Sequence, residues 1–545
     1  MNTRGCRRSA ILALTVSWRL RVSPVGPPTP GGCLAEPGAP VRWAPLSPPP
    51  TASVGNPAVN RSTRPEGLLG VAALLLVVGW VAVAGGAYSY DDAFITYRMS
   101  ANLAAGHGFV YNPGEWHLGS TAALYGLILG ALGWLFGAFA IPAASGAISC
   151  ASMLATGLIL PAIGAGADDA ALGRRAGVAA GILFAASPLM FVTFGGEMPF
   201  LIALAAGAVL AECRGRTVLA AILAALAALT RPDGVQVVGV VLVTMALRRR
   251  RLPWREALIA VAVLLPFLAL AWHAYGSPLP STLQAKLAQR DSGLWGTFGR
   301  GLVDWLRLFL WDTSRPNLGF APVAPPTLWA WIAVGVAAIW RVRAFLPLLA
   351  WTAIFTGSYT LLRAPFYHWY AAPAALGLSV LAGAGLAWAI DGLVSSRVAQ
   401  DRRAIVASAA GIAAALAISW PPLAALPRTS RLNDNVRLYI ETGRWLATQT
   451  PPGSHVGYYE IGYIGFYGGR PMVDALGLID PSIAPAVREH DFARAFRVGR
   501  PEYILEKPGA GLNTFLAEPW FADEYRFVTE LRVGGEALRV HRRLR

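Results

Sequence analysis

Tyr90-Asp91-Asp92-Ala93-Phe94-Ile95-Thr96-Tyr97-Arg98 follows directly on a continuous apolar run from Leu68 to Tyr88. Two adjacent carboxylates are costly to hold beside hydrocarbon, so a pair at the mouth of a membrane helix is kept for chemistry or ion binding. The apolar run is read as the first span, and the pair marks the active face.

Composition decides that the run is a span and not the core of a soluble domain. Hydrophobic residues make up 55% of the 545 residues and charged ones 14%, and the mean hydropathy is +0.48, far from the globular norm. A polytopic α-helical membrane protein is expected. The net charge of +16 would point to nucleic acid in a soluble domain, but the arginines cluster in short loops between apolar runs: Arg248 to Arg251 with Arg255, Arg341 with Arg343, and Arg397 with Arg402 and Arg403. That is the positive-inside pattern, and it argues against a polyanion partner. Cys6 and Cys33 lie in the N-terminal tail, Cys150 and Cys213 in or beside apolar segments, with no CxxC spacing; neither a zinc site nor a disulfide framework is supported. Residues 1–60 read as a Pro, Arg and Gly-rich tail. Its apolar patch, Ile11 to Trp18, is too short to span and is a weak signal-peptide pattern; disorder, or a start codon placed too early, is expected.

A span needs ~20 residues for a ~30 Å hydrocarbon core. Candidate segments run near 67–88, 119–137, 140–163, 175–195, 198–211, 217–230, 234–247, 256–275, 326–340, 344–362, 369–390 and 404–426, which gives about 11 to 13 spans within a transmembrane domain over 61–426. With the arginine clusters inside, the first loop (88–118), Glu197, Arg231 to Asp233, Pro278 to Lys286, Arg363 to Tyr370 and everything after Pro427 face outward. One stretch breaks the alternation. Between Leu118 and Arg174-Arg175 there is room for two spans where parity demands one or three, so either one segment is re-entrant or those arginines face outward. After Pro427 charges become frequent and apolar runs shorten to strand length at Tyr503 to Leu505, Phe527 to Val528 and Leu538 to Val540, while Asp434 to Thr448 reads as an amphipathic helix. A soluble α/β domain over 427–545 is expected, on the same side as the carboxylates.

The polar residues assigned to that face include Asp91, Asp92, Arg98, Asn102, His107, Asn112 and Glu115 from the first loop, and Glu197, Arg231, Asp233, Lys286, Arg363, His368 and Tyr370 from later ones. Carboxylates, cations and amphipathic rings at a lipid boundary suit a substrate with a lipid tail, a phosphate and a polar head. A carboxylate can act as general base or hold a divalent cation, and arginine and lysine can neutralise a phosphate. For a single loop residue, interface anchoring or a loop salt bridge is the plainer role. For Asp91-Asp92 that reading is weaker, because adjacent like charges repel.

Asp91-Asp-Ala-Phe-Ile-Thr-Tyr-Arg98, Asn102-Leu-Ala-Ala-Gly-His-Gly108, Tyr111-Asn-Pro-Gly-Glu115 and Ser120-Thr121 together resemble the first exoplasmic loop of GT-C glycosyltransferases that use polyprenyl-phosphate sugars. The closer resemblance is to bacterial membrane arabinofuranosyltransferases that add terminal residues to cell-wall arabinan, and their relatives. Further blocks agree in order: Gly195-Gly-Glu197-Met-Pro, Thr230-Arg-Pro-Asp-Gly234, Tyr275-Gly-Ser-Pro-Leu-Pro-Ser-Thr-Leu-Gln-Ala-Lys286, His368-Trp-Tyr370-Ala-Ala-Pro373 and Val473-Asp474-Ala-Leu-Gly-Leu-Ile-Asp480-Pro481. The likeness runs from about residue 67 to about 500.

The resemblance implies an inverting transfer to a cell-envelope glycan, lipid or protein acceptor on the exoplasmic side of a bacterial plasma membrane. Asp91 or Asp92 would be the base or site organiser. Arg231 and Lys286, with Arg98 close behind, are candidates for the donor phosphate, and Glu197, His368 and Tyr370 are further substrate-binding candidates. Glu115, Glu460, Asp474 and Asp480 would lie on the acceptor side. Gly-Gly-Glu197 and His368-Trp-Tyr370 depart from the arabinosyl enzymes, which leaves the sugar open. A Mg²⁺ or Mn²⁺ ion at Asp91-Asp92 is a possible cofactor, although the pair lacks the third and fourth protein ligands of a dedicated site. Two other functions stay open: a lipid-sugar transporter or flippase, for which midplane ionisable sites and repeated halves would speak, and a non-catalytic glycan-binding membrane protein.

Overall fold

The structure is a computed structural model and describes residues 65–85, 90–310, 327–429 and 433–544. These belong to one compact unit, Ser62–Arg545. The expected tail over 1–60 lies outside the described residues.

Every candidate span contains a helix, and the one over 175–195 breaks after Ala185. The chain runs through α1 (Pro65–Gly85), α2 (Asp91–Ala104), α3 (Ala123–Phe136), α4 (Ile141–Gly164), α5 (Ala170–Ala185), the single turn α6 (Pro188–Phe191), α7 (Met198–Cys213), α8 (Thr217–Thr230), α9 (Val235–Arg249) and α10 (Trp254–Tyr275). It continues with α11 (Thr282–Ser292), α12 (Phe298–Leu310), α13 (Thr327–Ala338), α14 (Leu346–Leu361), α15 (Ala372–Ser395) and α16 (Arg403–Thr429). By length and apolarity six described segments can cross a membrane, and four helices are apolar but shorter. A helix rises about 1.5 Å per residue, so the shorter ones fall below a full ~30 Å core. Small residues let the helices close on one another: a Cβ on Gly164 would overlap the Gly173 carbonyl, and one on Gly335 the Leu381 carbonyl.

Ion pairs identify one face of the bundle. Arg175 bonds Asp391 at 2.5 Å, Arg343 bonds Asp168 at 2.6 Å and Arg248 bonds Glu212 at 2.9 Å, so Arg174-Arg175 share a face with the other loop arginines. The opposite face carries Asp91 and the C-terminal domain. α1, α4, α5, α7, α8, α9, α10, α13, α14, α15 and α16 run between the two.

The expected span over 119–137 does not cross. Its α3 lies parallel against α2, with Gly126 over Thr96 and Phe109, Gly130 over Leu103, and Gly133 beside Ala104 and Ile141. Just beyond it Phe139 meets Phe466 of the C-terminal domain, ring centroids 6.0 Å apart. The glycines at helical spacing make a flat face on which α2 rests, so both ends of α3 stay on the site face. Only α4 crosses between Leu118 and Arg174, which resolves the parity conflict without turning the arginines outward.

The C-terminal domain opens with α17 (Asp434–Gln449) and alternates β1 (Val456–Tyr458), α18 (Gly462–Gly468), β2 (Met472–Asp474), α19 (Ala484–Arg488), α20 (Arg494–Gly499), β3 (Tyr503–Glu506), α21 (Pro519–Glu524), β4 (Tyr525–Val533) and β5 (Glu536–Arg543). Asn433 starts α17 by accepting the Val436 N–H at 2.8 Å, an N-cap. The sheet order is β2-β1-β3-β5-β4. β1 pairs in parallel with β2 and β3, while β5 is antiparallel to β3 and β4. The amphipathic helix and the last three strands fall where the sequence predicts them. The three-residue strands β1 and β2 are too short to leave a period in the sequence.

Candidate active site

Four segments far apart in sequence meet on the site face around a cavity of about 430 Å³. The start of α2 supplies Tyr90, Asp92 and Thr96, the α8–α9 turn supplies Arg231 and Asp233, α11 supplies Lys286 and Arg290, and the turn before α15 supplies Trp369 and Tyr370. Glu197 and Tyr359 complete the polar wall, while Leu279, Leu283, Leu287 and Leu362 make an apolar flank.

The structure separates the two adjacent aspartates. Successive residues on a helix point about 100° apart, and here they serve different partners. Asp92 lines the cavity, and its Oδ2 receives the Lys286 Nζ at 3.4 Å. Asp91 turns to the C-terminal domain, where its two carboxylate oxygens accept the backbone N–H groups of Tyr463 and Gly462, each at 2.8 Å. Burial pushes the Asp91 carboxyl up to about 6, against the two backbone N–H bonds, with the Asp92 charge adding to the rise.

Lys286 is held between anion and rings. Its ammonium stands 3.5 Å from the Tyr367 ring centroid and 5.9 Å from that of Trp369, a cation–π arrangement. Arg290 is four residues on, which puts it one turn along the same face, and Leu283 and Leu287 lie beside these cations. α11 thus presents two cations next to two leucines. Arg290 was not predicted, although its spacing from Lys286 is a signal the sequence contains. Its present partner is the neighbouring Asp291, at 2.8 Å from Nε.

Arg231 borders the cavity but is already matched by anions. It bonds Glu197 through Nη1 and Asp233 through Nε and Nη2, the last at 2.8 Å, and the Tyr359 hydroxyl donates to Asp233 at 2.5 Å. The Tyr370 ring lies beneath its guanidinium, 5.4 Å away. Two carboxylates on one guanidinium leave this group with a net negative charge. Of the predicted phosphate cations, Lys286 therefore has the weaker hold on its counter-ion.

Besides Asp91, Asp474 and Glu460, four predicted site residues stand away from the cavity. Arg98, expected near the donor, is buried at the domain junction: its guanidinium donates to the carbonyls of Tyr111 (2.9 Å), Gly465 (2.5 Å) and Arg470 (2.7 Å) and lies 4.4 Å over the Tyr111 ring. His368 is not among the lining residues; its ring meets Tyr90 edge-on at 5.6 Å, and Tyr90 stacks on Trp369 at 4.6 Å. Glu115 is exposed and accepts from Asn112 at 2.9 Å. Asp480 caps the Ser482 N–H at 2.9 Å.

Asp474 shapes the site without touching it. Its carboxylate accepts the N–H groups of Leu476 (2.8 Å), Leu478 and Ile479, a turn that sets Leu478 in the cavity wall and Ile479 against Gly119. Burial pushes this carboxyl up to about 6. Glu460 stands beside Asp91. Among the described residues no group of three or more His, Cys, Asp or Glu side chains is placed to hold a metal ion. With Asp91 bonded to backbone and Asp92 to an ammonium, the donor set does not fit a divalent cation.

A family known as a domain of unknown function (DUF8728) matches residues 428–543. No curated protein matches the chain. The fold is similar to ArnT from Cupriavidus metallidurans bound to undecaprenyl phosphate, with a TM-score of 0.57 and 15% identity over 87% of this chain and 97% of that one. It is similar to the same protein in the apo state, with a TM-score of 0.56, 15% identity and the same coverage. It also resembles the archaeal oligosaccharyltransferase AglB from Archaeoglobus fulgidus in complex with an inhibitory peptide and a dolichol-phosphate, with a TM-score of 0.51 and 12% identity over 81% of this chain and 69% of that one. The chain is a multi-pass integral membrane protein with a GT-C-type fold and a C-terminal mixed α/β domain.

Proposed function

We propose that this protein is a GT-C glycosyltransferase that moves a sugar from a polyprenyl-phosphate donor to a hydroxyl of a cell-envelope glycan, lipid or protein acceptor. The reaction is placed on the exoplasmic face of a bacterial plasma membrane, in line with the positive-inside pattern of the loop arginines.

The observation that carries the reading is the Asp92–Lys286 ion pair in the wall of one cavity with an apolar flank. Asp92 takes the proton of the acceptor hydroxyl. The acceptor oxygen attacks the anomeric carbon from the side opposite the phosphate, the C–O bond to the phosphate breaks, and the phosphate leaves with the bonding pair and the prenyl chain attached. The anomeric centre is inverted. Lys286 and Arg290 meet the charge growing on the phosphate, and the leucines of α11 receive the first prenyl units. Glu197, Arg231, Asp233 and Tyr370 form the wall that orients the sugar. A second solved protein of this fold was bound to dolichol-phosphate and the first to undecaprenyl phosphate, which supports a lipid-phosphate donor.

Arabinofuranose is the first sugar to test, because the block from Asp91 to Ser120 resembles arabinofuranosyltransferases. Purified protein is incubated with polyprenyl-phosphate arabinofuranose and an arabinan acceptor, and released polyprenyl phosphate is counted. Release that depends on acceptor and on Asp92 is expected. A flippase would move the intact donor across a vesicle membrane without releasing it, and a binding protein would retain it; either result would refute the transferase.

A further inference from the structure

Glu460 stands in the turn between β1 and α18, where its carboxyl and that of Asp91 act on each other's charge. Asp91 in turn accepts two backbone N–H groups from the same turn. The approach is close, for a Cβ on Gly462 would overlap the Asp91 carbonyl oxygen. An ionised carboxylate only accepts, and two carboxylates held at one turn repel, so a proton on one of them turns the repulsion into a donated bond. We propose that Asp91 and Glu460 share one proton and that this proton clamps the C-terminal domain onto α2, making Glu460 a positioning residue that keeps Asp92 at the cavity.

The charges around the pair agree. Asp92 adds a second negative charge beside the pair, and Lys286, the ammonium that faces the group among the described residues, lies against Asp92. The other groups facing the pair are tyrosine hydroxyls: Tyr111 near Asp91, and Tyr367, Tyr439 and Tyr459 near Glu460. Burial, then the charges of Asp91 and Asp92, push the Glu460 carboxyl well above the ordinary range, with Lys286 opposing.

The sign follows. Both carboxyls are raised in the docked state, so docking binds a proton that the released domain does not hold. Docking is at full strength in acid and weakens as pH rises past the ordinary carboxylate range and through the pair's own titration. Above that, two adjacent anions repel across the junction.

The proposal rests on the glycosyltransferase reading only for what the clamp serves; docking itself is measured without turnover. Amide hydrogen exchange of residues 461–468 is followed in the full chain in detergent between pH 5 and 10, corrected for intrinsic exchange. In the wild type the opening constant is expected to grow, by up to about tenfold per pH unit once the pair loses its proton. Glu460→Gln keeps a donor for Asp91 and cannot ionise, so its opening constant should stay flat, and Asp91→Asn should also remove the slope. Asp92→Asn should lose transfer and keep the slope, which separates failure of the clamp from failure of the enzyme reading. An equal slope in Glu460→Gln and wild type overturns the proposal. So does a wild-type opening constant without pH dependence, which needs no variant to fold.

Discussion

The ammonium of Lys286 lies 3.4 Å from Oδ2 of Asp92 and 3.5 Å from the centre of the Tyr367 ring. In the proposed reaction these are the phosphate cation and the base, so each neutralises the other until substrate arrives. A donor phosphate that draws Lys286 away frees Asp92 to take a proton.

Asp92→Asn is therefore expected to lower turnover ~10²- to 10⁴-fold, the range for loss of a general base, with the chain still folded. Asp91→Asn should loosen residues 461–468 and reduce turnover less. Polyprenyl phosphate release and hydrogen exchange, measured on both variants, separate the two roles. Near-normal turnover in Asp92→Asn with loss in Asp91→Asn would exchange them.

Lys286→Gln and Arg290→Gln should weaken binding of the donor and of polyprenyl phosphate alike. A hydrogen bond to a charged group contributes ~1.5–3 kcal/mol, or about 10- to 100-fold in affinity for each. Titration with donor, polyprenyl phosphate and an uncharged sugar analogue checks this. An equal loss for the uncharged analogue would argue against phosphate contact.

Arg231→Met should cost stability more than donor affinity. It leaves Glu197 and Asp233 facing each other with no counter-ion, and breaking a buried pair from one side costs ~3–5 kcal/mol. Thermal unfolding in detergent should show a lower midpoint, and Glu197→Gln in the same chain should recover part of it. A stable Arg231→Met with selectively weaker donor binding would return Arg231 to the phosphate.

Gly462→Ala tests the junction through packing instead of charge. The added methyl has no room beside the Asp91 carbonyl, so residues 461–468 should exchange faster at every pH while the helical bundle keeps its protection. Unchanged exchange there would mean that the close approach is not maintained in solution.

A single cysteine at Ser482, an exposed position of the C-terminal domain, tests the side of the membrane. An impermeant thiol reagent should label it in intact cells once the outer barrier is permeabilised. Labelling only after the inner membrane is broken would invert the topology and remove the exoplasmic donor logic.

Helix positions were legible because an apolar run records local cost: each residue of it is cheaper in lipid than in water, whatever its neighbours. The amphipathic helix of the C-terminal domain and three of its strands were legible for the same local reason. The path of α3 was not, since hydropathy gives its apolarity but not the glycine face that lays it on α2. The site divides in the same way. Asp91-Asp92, Lys286 and Arg231 could be named from sequence because charges beside hydrocarbon need a reason to be there. Which aspartate faces substrate, that Arg231 is held by Glu197 and Asp233, and that Arg98 ties the first loop to Gly465 and Arg470 depended on the tertiary structure. Lys286 and Asp92 are 194 residues apart, and such a contact forms only when the packing of whole helices brings their ends together, a sum over the entire fold that no short window of sequence contains.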